Sequence, residues 1–173
     1  MLTRLIKVFL VLCLLAAAGF SFSRPRERVT PAMHSDAILI EKSARKLTLL
    51  SAGVVLKTYP VALGFSPQGA KDREGDGRTP EGIYEISGRN PKSLYHLSLR
   101  VSYPNAADRA TAAKLGVSPG GDIMIHGLPN GSAALGSAHT LSDWTLGCVA
   151  VTSEEIEEIW DAVPNGTRVE IVP

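Results

Sequence analysis

A thiol and an imidazole carry the chemistry that this sequence offers. Cys148 stands in Asp143-Trp144-Thr145-Leu146-Gly147-Cys148-Val149-Ala150-Val151, downstream of Ile125-His126-Gly127. A cysteine attacks as its thiolate, so it needs a cation, a hydrogen-bond donor or a paired imidazole nearby to release its proton. His126 is the obvious supplier of that base. Gly127 follows the histidine and Gly147 precedes the cysteine, and both let backbone turn sharply and approach a substrate. The amides around Gly147 and Cys148 can point at a developing oxyanion, and the Thr145 hydroxyl can orient the imidazole or the substrate. The set predicts nucleophilic catalysis by Cys148 with His126 handling the proton.

The same residues admit plainer readings. Cysteine is among the most often buried residue types, so an inert core thiol is one alternative, and a satisfied structural histidine is its counterpart at 126. His126, His139 and Cys148 as metal ligands is another, but their intervals are far from compact zinc spacings and no second cysteine stands near them. Trp144 reads as core rather than as a substrate platform. Asp143 and Thr145 read as turn formers before catalysts.

The elements that must position this pair read as mainly β. Ala37–Glu41 and Lys46–Leu50 are short apolar runs about the polar turn Lys42-Ser43-Ala44-Arg45, and Val54–Leu63 is a longer branched run after Gly53, together a meander. Gly64–Thr79, rich in glycine and charge, reads as an exposed loop, and a strand follows at Ile83–Ile86. Asn105–Leu115 is a short helix that Asn105 or Asp108 can cap and Gly116 can end. Asp122–Ile125 is a compact strand with His126 at its end. Thr152-Ser153-Glu154-Glu155 fits a capping box ahead of a helix with Ile156, Ile159, Trp160 and Val163 on one face, and Val169 and Ile171 alternate in a last strand. The fold class is therefore a mixed β-sandwich or barrel of short strands with two short helices.

The N-terminus reads as an export signal over residues 1–23, with an uncleaved membrane anchor as the alternative. Arg4 and Lys7 precede an apolar stretch from Val8 to Phe20, shorter than the roughly 20 residues of a comfortable span. Cleavage after Ser21-Phe22-Ser23 is favoured over cleavage after Ala16-Ala17-Ala18. Cys13, the only other cysteine, falls in this segment behind Leu12 rather than the small residue expected before a lipidated cysteine. Its removal leaves Cys148 without an intrachain partner. An unpaired thiol in an oxidising compartment is best understood if it works. Residues 24–36, with Pro25 and Pro31, read as a linker, and residues 37–173 as one domain. Loss of Arg4 and Lys7 turns the formal charge of +1 into −1, and no basic patch remains, which argues against a nucleic-acid partner.

These residues resemble the L,D-transpeptidase catalytic domain, or YkuD domain, of bacterial cell-wall enzymes. The family pattern is a His-Gly at a strand end and, after a loop, Ser or Thr, His, Gly, Cys, a branched aliphatic, then Arg or Asn. This chain offers Ile125-His126-Gly127 and Thr145-Leu146-Gly147-Cys148-Val149, and the run Gly75-Asp76-Gly77-Arg78-Thr79-Pro80-Glu81-Gly82 is also similar. Leu146 stands where the family has His, and Ala150 where it has Arg or Asn, which marks a divergent branch, one with some known peptidoglycan hydrolases. The resemblance implies acyl transfer on peptidoglycan stem peptides in the periplasm, through a Cys148 thioester and without a cofactor. The implied acceptors are a diaminopimelate amine, giving 3-3 cross-links, or a lysine of an outer-membrane lipoprotein. Acceptance by water instead would make the chain a thiol amidase or L,D-carboxypeptidase, and loss of chemistry would leave an inactive wall-binding module. Carbapenems are expected to acylate Cys148.

Overall fold

The computed structural model describes residues 34–173. The export signal, Cys13 and nearly all of the linker lie outside them. Eight strands, β1 (Ala37–Glu41), β2 (Lys46–Ser51), β3 (Val54–Pro60), β4 (Gly82–Ser93), β5 (His96–Val101), β6 (Met124–His126), β7 (Val149–Ala150) and β8 (Arg168–Val172), form one mixed sheet in the order β3-β2-β1-β8-β4-β5-β6-β7. Two pairs run parallel, β1 with β8 and β6 with β7, and the rest are antiparallel. Helix α1 (Ala106–Leu115) follows β5, and helix α2 (Ser153–Ala162) lies between β7 and β8. A 3₁₀ segment, Ala133–Leu141, broken at Gly136, occupies part of the stretch that the sequence presents as loop. Among the described residues no helix is long and apolar enough to cross a membrane.

Alternation builds the core. Ile38 and Ile40, Leu47 and Leu49, Tyr84 and Ile86, Leu99 and Val101, and Val169 and Ile171 each point inward from one strand. Helix α2 covers β5 and β6 with Ile156 and Ile159, both fully buried. Its start is fixed as its sequence predicts: Thr152 Oγ1 accepts from Glu155 N–H at 3.2 Å, and Glu155 Oε2 accepts from Thr152 N–H at 3.0 Å. Asn105 and Asp108 close an equivalent box on α1, which ends at a left-handed Gly116. Such a cap stabilises a helix by about 1 kcal/mol. Gly127 brings α2 close, since a side chain there would meet Ile156 Cγ2 at 2.8 Å.

The structure departs from the sequence reading at four places. The run Val54–Leu63 stops as a strand at Pro60, which has no N–H for a ladder, and the chain then crosses to the far edge of the sheet. There Ala62 bridges Ala150 and Gly64 bridges Thr145, so the two ends of the curled sheet meet. The strand expected at Ile83–Ile86 continues to Ser93 and turns back as β5. The strand expected at Asp122–Ile125 is shifted to Met124–His126, and Asp122 instead adopts a left-handed φ of 55°. The loop Gly64–Thr79 lacks regular structure but is not simply exposed. Thr79 and Lys71 are buried, and Lys71 Nζ donates to Asp76 Oδ1 at 2.8 Å. Burial opposes charge on Asp76, yet this bond and the backbone N–H groups of Asp72, Arg73 and Arg78 hold its carboxyl down at about 2.

Candidate active site

The parallel pairing of β6 with β7 sets His126 opposite Ala150, and so brings the imidazole beside the residue that enters β7, Cys148. The nucleophile segment is held from its other side as well. Ala62 N–H donates to Ala150 O at 3.0 Å, Ala150 N–H returns a bond to Ala62 O at 2.8 Å, and Phe65 N–H donates to Thr145 O at 2.9 Å. Within the turn, buried Thr145 donates its hydroxyl to Cys148 O at 2.7 Å and accepts Gly147 N–H at 3.1 Å. Gly147 has φ +132°, a conformation that side chains disfavour. Thr145 and Gly147 thus shape the loop. The Gly147 amide, one of the two expected near an oxyanion, is engaged by the Thr145 hydroxyl. Gly127 is likewise a positioning residue: its N–H goes to Tyr95 O and Leu97 O, at 3.1 and 3.3 Å.

The imidazole is oriented by its neighbour. His126 Nδ1 lies 2.7 Å from Gly127 O, an atom that can only accept, so Nδ1 carries the proton and Nε2 presents a lone pair. Burial pushes the His126 pKa down, reinforced by His139 and opposed by the Gly127 bond. The ring is therefore neutral at neutral pH, as a base must be. Burial pushes the Cys148 thiol up, with Asp122 adding to this and the Met124 N–H and Lys71 working against it. The sulfur accepts from Met124 N–H at 3.4 Å and donates to Asp122 O at 3.5 Å. The resting pair is thus neutral thiol and neutral imidazole rather than a preformed ion pair. Alkylation of Cys148 by iodoacetamide, followed by mass spectrometry across pH, will accordingly keep rising beyond about pH 9, above the ordinary thiol value. A midpoint below about pH 8 would show an ion pair and contradict the neutral resting pair.

Cys148 and His126 line one cleft of about 380 Å³. Trp144, expected in the core, is half-buried on its wall. The Tyr95 ring lies 4.5 Å from the His126 ring and the Trp144 ring 5.8 Å from it, so two aromatic rings shield the imidazole. Leu146 is exposed at the cleft. Asp143 accepts from Arg45 and from Leu63 N–H, tying the nucleophile loop to the first hairpin. The sequence reading missed Tyr95, Ser98 and Met124, which the β4–β5 hairpin and its pairing with β6 deliver; the alternation of Leu97, Leu99 and Val101 was the available signal. His139 is buried with neither ring nitrogen hydrogen-bonded among the described residues, and lies with Trp144 on a separate hollow. Among the described residues no three His, Cys, Asp or Glu side chains converge as metal ligands.

Comparison with known proteins bears on the family and the fold. The sequence profile of YkuD, described as the L,D-transpeptidase catalytic domain, matches residues 35–171. The putative L,D-transpeptidase YafK of Escherichia coli is 31% identical over 112 residues, 63% of this chain and 37% of that protein. The helical cell shape determining protein Pgp2 of Campylobacter jejuni superposes with a TM-score of 0.61 at 24% identity, over 81% of this chain and 48% of that one. The L,D-transpeptidase LdtMt1, in complex with imipenem, gives 0.51 at 18% identity over 79% and 58%. The two structural likenesses speak for the fold, and the chain spans well under half the length of its YafK relative.

Proposed function

We propose that this chain, which belongs to the YkuD family of L,D-transpeptidase catalytic domains, is an exported cysteine acyltransferase acting on peptidoglycan stem peptides in the periplasm. The observation that carries the reading is the single cleft in which the Cys148 thiol and the bare Nε2 of a backbone-oriented His126 both stand.

The steps follow from those two groups. Cys148 Sγ attacks the carbonyl at the L-centre of the third stem residue while His126 Nε2 takes the thiol proton. The C–S bond forms, the carbonyl becomes an oxyanion, and in this scheme the Cys148 amide donates to it. Collapse breaks the C–N bond to the terminal D-alanine, and the imidazolium returns the proton to that leaving amine. A thioester remains. An incoming amine then attacks the thioester, His126 takes its proton, and the thiol is regenerated. Nothing in these steps calls for a cofactor. Burial disfavours a standing thiolate–imidazolium pair, so the scheme has the proton pass to His126 as the sulfur attacks, with the charge moving on to the carbonyl oxygen.

The test is mass spectrometry of muropeptides after incubating the protein with tetrapeptide stems, beside a Cys148→Ala control. Cysteine-dependent dimers with loss of D-alanine are the expected result, and their mass names the acceptor. Trimmed monomers without dimers would replace amine by water and make the chain a hydrolase. Unchanged stems would remove the acyl-transfer reading. The imipenem complex of LdtMt1 supports a second readout, a carbapenem adduct on Cys148.

A further inference from the structure

Outside the catalytic cleft, three polar atoms stand together without a partner. Both ring nitrogens of His139 and Nε1 of Trp144 are sealed from solvent, and none of them is hydrogen-bonded among the described residues. His139 as a whole is only 6% exposed. Buried polar atoms of native folds are almost always paired, so three orphans in one place mark a position where the partner comes from outside the fold.

His139 and Trp144 line one hollow of about 290 Å³, whose walls are Leu128, Pro129, Leu135 and Ala138. Trp144 is the one lining residue that this hollow shares with the catalytic cleft, so a single indole is the partition between them. The cover of the hollow is the 3₁₀ segment Ala133–Leu141, which supplies Leu135, Ala138 and His139. Its hydrogen bonds are local: Leu135 N–H donates to Ser132 O at 3.0 Å and the Thr140 hydroxyl to Ser137 O at 2.8 Å, while Ser132 makes no side-chain cap. Among the described residues no hydrogen bond ties the segment to the sheet or to helix α2. It is a strap fastened at its two ends. Gly136 breaks it with φ +47° and ψ −135°, a backbone that glycine takes without strain, and gives it a point at which to bend.

The unpaired atoms define what fits. Burial holds the His139 ring below its ordinary value, against the pull of Glu155, so the ring is neutral and presents one donor and one acceptor nitrogen. Trp144 adds a second donor. Among the described residues no charged side chain lines the hollow, so a carboxylate or an ammonium would lose its water with no countercharge to replace it. Water would serve the nitrogens but not the four apolar walls. The complement is a neutral group that accepts one hydrogen bond, donates another and ends in a small apolar cap, which describes a secondary amide bearing a methyl.

We propose that the hollow behind Trp144 binds the acetamido group of an N-acetylated amino sugar. The amide carbonyl accepts from Trp144 Nε1–H, the amide N–H donates to the bare nitrogen of His139, and the methyl rests against Leu128 and Pro129, with the strap bending at Gly136 to admit it. The choice of a sugar rests on the peptidoglycan reading above, since the glycan that carries the stem peptides is built of such units. The catalytic domain thereby holds its substrate at two places, the peptide in the cleft and the glycan behind the indole.

The test is nitrogen-15 NMR of the full-length chain titrated with N-acetylglucosamine, glucosamine and glucose. The signal read is the Trp144 indole N–H, which Trp160→Phe distinguishes from the other indole of the chain. A saturable shift with the acetylated sugar is expected, with binding of the other two at least about tenfold weaker. His139→Phe is expected to abolish the shift while leaving the melting temperature unchanged or raised, because an apolar ring replaces polar atoms that have no partner. His139→Gln, which keeps a donor and an acceptor, should retain part of the affinity. An unmoved Trp144 signal, equal binding of the three sugars, or binding that survives His139→Phe overturns the site. N-acetylalanine methylamide binding as tightly as the sugar overturns the sugar and makes the occupant a peptide amide. The muropeptide assay separates the two readings: cysteine-dependent dimers with an unmoved Trp144 signal overturn this site alone, whereas a saturable shift beside untouched stems upholds the site and removes acyl transfer.

Discussion

Cys148→Ser will lower turnover of stem peptides by about a thousandfold or more while leaving the fold intact, because a serine hydroxyl in the same place is a far weaker acid and His126 has only its neutral imidazole to draw the proton away. The sulfur is held only by long contacts, to Met124 N–H at 3.4 Å and Asp122 O at 3.5 Å, which a smaller hydroxyl loosens at little cost, so stability should change by no more than about 1–2 kcal/mol. His126→Asn is the companion variant. Its side-chain amide can still donate to Gly127 O in place of Nδ1, but it brings no basic nitrogen to the thiol. Alanine would be a poorer choice there, since it would empty a buried space between Tyr95 and Trp144. Single-turnover acylation measured by intact mass, with unfolding followed in parallel, decides the matter. Near-normal acylation in either variant would deny the pair its role.

Gly147→Ala is expected to be nearly as damaging, by a different route. An alanine Cβ at this position would stand 2.6 Å from Arg78 O and 3.1 Å from Ile123 Cδ1. The oxygen has little room to retreat, because Asp76 anchors the Arg78 amide and Gly77 O receives Ser66 N–H at 3.0 Å. Left-handed strain adds to the clash, and together they should cost about 2–4 kcal/mol of stability. The sulfur would also move, and a displacement of about 1 Å is enough for a loss of roughly a hundredfold in rate. Gly53→Ala is the matched control. Its φ is also positive, +77°, but nothing lies within 4 Å of the added carbon, so strain alone should cost about 1 kcal/mol and turnover should be unchanged. Wild-type activity in Gly147→Ala would show that the loop does not position the nucleophile.

The parts of the fold that were legible in the sequence are those fixed by local chemistry. Branched residues in β1, β2 and β8, the Thr152–Glu155 capping box, the Asn105 cap and Gly116 each act within a few residues, and each stands where its pattern placed it. The long outer half of β4 escaped because Ser, Arg, Asn and Pro fill the stretch from Ser87 to Ser93, whose strand conformation comes from pairing rather than from propensity, whereas β5 carried a readable alternation at Leu97, Leu99 and Val101. The closure of the sheet by Ala62 and Gly64 was unreadable for the same reason: it is a meeting of segments far apart in sequence. In the site, Cys148 and His126 were visible as reactive types flanked by glycine. Tyr95, Ser98 and Met124 have no such signature, and only the register of β4, β5 and β6 brings them to the cleft.

That closure makes activity a report on the whole domain. The nucleophile segment borrows its shape from residues 62–65 on one side and from β6 on the other, so no fragment lacking either can present the thiol to the imidazole. Contacts of such long sequence separation are slow to form and are lost together. During denaturation, then, catalysis should fade in step with the global fold, and in a growing or refolding chain the reactive thiol stays an ordinary cysteine until the two edges of the sheet have found each other.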